Sequence, residues 1–74
     1  MPNQPEDRAW LGEHIRSRRR SLGLTQGELA DLAGASPRFV RAVETGKSSV
    51  RLDKLLDLLE VLGLEIDLRQ RDGA

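Results

Sequence analysis

The sequence lacks cysteine and tyrosine altogether and has a single histidine, His14, a single tryptophan, Trp10, and a single phenylalanine, Phe39. Without cysteine no disulfide can brace the fold, and one histidine leaves no set of residues at metal-ligand spacing. No nucleophile stands in a pattern with a base and no glycine-rich phosphate loop is present, so the chain does not read as an enzyme. No apolar run approaches the roughly 18 residues of a membrane span. The polar stretch Met1 to Asp7, with two prolines, also lacks the basic-then-apolar order of an export signal, and a cytoplasmic protein is expected. Net charge is missing too, because 12 basic residues balance 12 acidic ones. At 74 residues the chain has room for one small domain, 1–74, without linker or repeat. Below about 80 residues a single core rarely supplies more than ~3–5 kcal/mol, which favours association with a second copy. No cofactor, metal or small-molecule site is visible.

What is present begins with Leu24 to Lys47, LTQGELADLAGASPRFVRAVETGK. Thr25 and Glu28 form a capping box, in which each side chain satisfies a backbone N–H left free at a helix start. Leu29, Leu32 and Ala33 give this helix one apolar face, and Gly34 supplies the left-handed residue that ends it. Ser36 caps a second helix, Pro37 suits its first position, Val40 and Val43 face inward, and Thr45-Gly46 closes it. The short connection Gly34-Ala35-Ser36 makes the pair a helix-turn-helix, a motif whose second helix enters the major groove of DNA.

Pro5, Glu6 and Asp7 mark an earlier helix start, and that helix should run to about Leu22, with Gly23 ending it. Leu11, Ile15 and Leu22 share a side with Arg18 or Arg19, so a buried arginine is expected in an apolar face, and it needs an acid. Trp10 is expected as a partly buried packing residue at the domain's edge, and His14 as a surface or hydrogen-bond-satisfied histidine. Beyond the polar loop Ser48 to Arg51, the segment Leu52 to Leu62 is the strongest helix in the chain. Its six leucines fill an arc of about 160°, wider than a surface helix normally buries. Leu58 and Val61, at the margin, are expected to face something other than the first three helices, and Gly63 ends the segment. Leu64, Ile66 and Leu68 then alternate with Glu65, Asp67 and Arg69, the pattern of a half-buried strand. A lone strand leaves backbone groups unpaired on both edges. The same strand of a second copy is therefore expected to complete it, which makes about 64–70 a dimerisation strand after a helical bundle at about 5–63. Gln70 to Ala74 is expected to be a frayed tail.

Charge is unevenly placed even though its total is zero. From His14 to Arg51 eight basic residues face three acidic ones, a local +5, and from Leu52 to Ala74 three basic residues face six acidic ones, a local −3. Such asymmetry suits a molecule with one face toward phosphate.

With these residues placed, Leu11 to Leu62 resembles the Xre family of bacterial and phage repressors. The motifs are Ile15-Arg16, Arg19, Leu22-Gly23-Leu24-Thr25-Gln26, Glu28-Leu29-Ala30, Ala33-Gly34 and Val43-Glu44-Thr45-Gly46-Lys47. The resemblance implies an all-α fold, a lambda-repressor-like helix-turn-helix bundle of four helices, carrying here a C-terminal β-strand that pairs across a homodimer. Gly46-Lys47, Leu52-Asp53-Lys54-Leu55-Leu56 and Leu62-Gly63-Leu64 narrow it to HipB-type antitoxins, which dimerise through a C-terminal strand, repress their own operon and bind a HipA-type kinase toxin. On this resemblance the chain is a sequence-specific repressor of a palindromic double-stranded DNA operator and the antitoxin of such a toxin. The alternatives are a solitary Xre-family or phage-type regulator and a protein-binding adaptor.

The family also implies roles residue by residue. Ser36, Pro37, Arg38, Phe39 and Arg41 would reach base edges, although Pro37 has no side-chain donor and Phe39 replaces a small polar residue. Arginine paired to guanine O6 and N7 is the commonest specific major-groove contact, which favours Arg38 and Arg41. Gln26, Arg16, Arg20, Lys47, Ser48 and Arg51 would contact the DNA backbone. Arg19 and Glu44 would form a structural ion pair, and Leu58, Val61, Leu64, Ile66 and Leu68 the dimer interface.

Overall fold

The computed structural model describes residues 5–47 and 49–71. Its helices are α1 (Pro5–Ser21), α2 (Gln26–Ala33), α3 (Pro37–Glu44) and α4 (Leu52–Leu62). Local capping chemistry sets their ends. At the start of α2 the Glu28 N–H donates to Thr25 Oγ1 at 3.0 Å, and the Thr25 N–H donates back to Glu28 Oε1 at 2.8 Å. Gly34, with φ of 67°, ends the helix in the left-handed conformation. At the start of α3 the Phe39 N–H donates to Ser36 Oγ at 3.1 Å, with Pro37 in the first position. α4 has no side-chain cap at Arg51. Instead Asp53, in its first turn, accepts bonds from Arg51 and from the Lys54 N–H, and these hold its carboxyl below the usual range, the Arg51 bond contributing most.

Each helix contributes to one core. Ile15 of α1, Leu29 of α2, Val40 of α3, and Leu58 and Leu62 of α4 are fully buried, and each such side chain stabilises the domain by about 1.5–3 kcal/mol relative to exposure. Two long cations tie helix ends across it. Arg18 Nε donates to the Leu62 carbonyl at 2.8 Å, and Lys54 Nζ to the Gly34 carbonyl at 2.8 Å, so cations sit at the negative ends of α4 and α2. α1 crosses the end of α3 so closely that a Cβ on Gly12 would lie 2.5 Å from the carbonyl oxygens of both Val43 and Glu44.

Several expectations need correction. Among the described residues there is no strand: beyond Leu62 the chain runs to residue 71 without ladder hydrogen bonds, anchored by the Leu64 N–H on the Leu59 carbonyl at 2.9 Å. Alternation marks which side chains are apolar, but a ladder needs an adjacent edge, and these helices offer none. Leu58 cannot belong to a dimer surface, because it is fully buried within the chain. The surplus apolar margin of α4 is instead Leu52 and Leu56, which are exposed, while Val61 is half-buried on the far margin beside Leu32, Asp57 and Glu60. The inward face of α2 is Leu29, Ala30 and Ala33, and Leu32 is left outside. Leu22 lies past the end of α1 and is also exposed. Trp10 is 64% exposed and rests on His14, ring centroids 5.4 Å apart, rather than on the core. No helix among the described residues is long and apolar enough to cross a membrane.

Candidate nucleic-acid interface

The recognition-type helix α3 divides cleanly by chemistry. Val40 and Val43 bind it to the core, while Arg38 and Arg41, one turn apart, are exposed on one side. Pro37 is exposed beside them; the Ser36 hydroxyl is already engaged as the cap. Phe39 is half-buried and packs against the core, so its ring belongs in part to the interior and less to the open face.

The far end of α3 is held by one carboxylate. Arg19 Nε donates to Glu44 Oε2 at 2.7 Å and Arg19 Nη2 to Glu44 Oε1 at 3.1 Å, with both residues only 7% exposed. Arg19 Nη1 also donates to the Leu24 carbonyl at 2.7 Å. The bond to Glu44 raises the Arg19 pKa above its ordinary value while burial opposes that rise. α1, the loop before α2, and α3 thus converge on this pair, and deleting either partner of such a pair costs about 3–5 kcal/mol. Gln26, the first residue of α2, joins them: its Nε2 donates to Glu44 Oε1 at 3.1 Å.

The remaining basic residues are distributed around this frame. Lys47 is exposed just past α3, its N–H fastened to the Ala42 carbonyl at 3.0 Å, so Lys47 and Gln26 both lie by the C-terminal end of that helix. Arg16 and Arg20 share the exposed side of α1 with Glu13 and Ser17. Arg51 is exposed, but its guanidinium is shared with Asp53 at 2.7 Å, which offsets its charge. Ser48 lies outside the described residues.

Sequence reading missed Gly12, Arg18 and Lys54 as organisers of this site. Gly12 carried a signal, since glycine inside a helix is destabilising unless another backbone must come close. Lys54 carried none, and Arg18 showed only as a rival of Arg19 for the apolar side of α1, because a long side chain's distant carbonyl partner leaves no periodic trace. The bond from Gln26 to Glu44 was likewise invisible, as it spans 18 positions.

A short helix, a glycine turn and a second helix with exposed arginines, set on a four-helix core, define an Xre-like helix-turn-helix regulator, a DNA-binding transcriptional regulator. Comparison with known proteins agrees: the family model described as a helix-turn-helix domain matches residues 10–71, and the chain belongs to that family. It is 38% identical over 58 residues to the HTH-type transcriptional regulator y4mF of Sinorhizobium fredii, covering 78% of this chain and 76% of that protein. Among solved structures it is similar to the restriction-modification controller protein C.AhdI from Aeromonas hydrophila, with a TM-score of 0.74 and 33% identity over 85% of this chain and 91% of that one.

Proposed function

We propose that the chain is a sequence-specific repressor that binds a near-palindromic operator as a homodimer. The observation that carries this reading is the exposed pair Arg38 and Arg41 on a helix whose opposite side is locked into the core. Residues at the start of such a helix reach base edges, and arginine is the side chain best matched to guanine there. Gln26 and Lys47, by the other end of the helix, serve as backbone contacts, with Arg16 and Arg20 as further cations on α1. Arg38→Ala or Arg41→Ala should cost about 1–3 kcal/mol on the operator and relax preference at one base pair, whereas Lys47→Ala should weaken all sequences alike. Titration of each variant against operator and scrambled duplexes checks this. Equal loss on both duplexes for the arginine variants would remove them from base reading.

Support for a second copy comes from the apolar surface left open. Leu52 and Leu56 are exposed and fall on one row of α4 with Leu59. Leu59 also lines a groove between α1 and the C-terminal segment, together with Trp10, Leu11, Ile15, Leu64 and Ile66. Leu68, 92% exposed, continues that segment. The segment also carries Glu65 and Asp67 followed by Arg69 and Arg71, so an antiparallel second copy would set acid against base.

The resemblance to HipB-type antitoxins extends the proposal to a HipA-type kinase toxin as partner. The likeness to a restriction-modification controller favours a second reading, a regulator of linked genes that holds no toxin. A kinase-like gene beside this one, with a product that co-purifies with the chain, supports the first reading. Its absence supports the second.

A further inference from the structure

We infer that Glu44 is a positioning residue for the DNA backbone: it fixes which way the Gln26 side-chain amide faces, so that the amide's second N–H is presented to a phosphate. This rests on the DNA-binding reading above and adds to it a role for the buried ion pair other than holding the fold.

A glutamine amide can be turned over by a half rotation that exchanges its oxygen and its nitrogen, and the two orientations are opposite in what they offer a partner. Glu44 removes the choice. A carboxylate bridged by a guanidinium offers acceptors only, and Oε1 takes Arg19 Nη2 on one side and Gln26 Nε2 on the other, each at 3.1 Å. The Gln26 nitrogen must therefore face Glu44, and it carries two hydrogens. One is taken by Glu44, and the other makes no hydrogen bond among the described residues. A phosphate oxygen also only accepts, so it meets an N–H in this orientation and would meet the amide's carbonyl oxygen, an unfavourable contact, in the other. Gln26 is half-buried at the first position of α2, against the end of the recognition helix, which leaves the amide little freedom to reorient once Glu44 holds it. Arg19 completes the device. Its charge offsets that of Glu44, so a carboxylate can stand one side chain away from the DNA without repelling it.

The test is a double-mutant cycle with a labelled mixed-sequence duplex at fixed salt, using Gln26→Ala, Glu44→Gln and the double variant, each first shown to be folded by circular dichroism. Gln26→Ala and Glu44→Gln should each lower affinity by about tenfold, and the double variant should bind no more weakly than Gln26→Ala alone, because groups acting through one contact are not additive. A purely structural role would multiply the two losses, and that outcome overturns the inference. Should Glu44→Gln fail to fold, nuclear magnetic resonance of the unaltered protein decides instead: the Gln26 side-chain amide signals should shift on adding duplex. Stationary signals in a protein that binds duplex overturn the inference while sparing the DNA-binding reading. A protein that binds no duplex overturns both.

Discussion

Gly12 shows how much a single hydrogen atom in place of a methyl group can decide. Two backbone carbonyls stand 2.5 Å from where its Cβ would be, and backbone cannot yield as a flexible side chain would. Gly12→Ala raises helix propensity in α1 by about 1 kcal/mol, yet it should destabilise the domain, because wedging α1 away from α3 strains a packed core at a cost of about 1–3 kcal/mol or more. It should also pull Arg19 from Glu44. Chemical denaturation reads the change directly, and a variant as stable as the parent would mean that the crossing can relax. At this scale the sequence was only half legible. Periodicity left Arg18 and Arg19 as rivals for the inward position, since both lie near the apolar side of α1. The structure buries Arg19 against Glu44 and turns Arg18 to the last carbonyl of α4. What separates them is the location of an acid 25 positions away, which spacing along one helix cannot reveal.

The four helices themselves were largely legible, because caps are local chemistry. Thr25 with Glu28, Ser36 with Pro37, and the glycines after α2 and α4 state their boundaries in a few adjacent residues. Which face each short helix buries was less legible. α2 has only eight residues, and the choice between Leu32 and Ala30 for the interior depends on where α3 and α4 approach, not on α2 alone. Ala30 is fully buried and Leu32 is left 63% exposed. The capping box permits a direct test at this scale. Thr25→Ala removes the acceptor of the Glu28 N–H and should cost about 1 kcal/mol, whereas Thr25→Ser should cost little. A denaturant midpoint that is the same for both variants would show that the box is not what starts α2.

At the scale of the whole molecule, the apolar side chains left uncovered are those that local patterning cannot place. The alternation of Leu64, Ile66 and Leu68 was visible, but whether it becomes a ladder depends on a neighbour outside the chain. On the proposed homodimer, Leu52→Glu with Leu56→Glu should leave the monomer folded, as both positions are exposed, and should shift sedimentation from dimer to monomer. Operator affinity should fall with it, because two half-sites about 34–36 Å apart are then no longer engaged together. A charged variant that remains dimeric would move the contact to the groove beside Trp10 alone. The pinned end of α3 has a further consequence for how such a dimer meets a duplex. With Gly12 pressed on its last carbonyls and Glu44 tied to Arg19 and Gln26, α3 is held against tilting or sliding within its own domain. A mismatch in spacing or curvature must then be absorbed by the DNA, so part of the sequence preference should reside in base pairs that no side chain touches, where the stiffness of the duplex itself is selected.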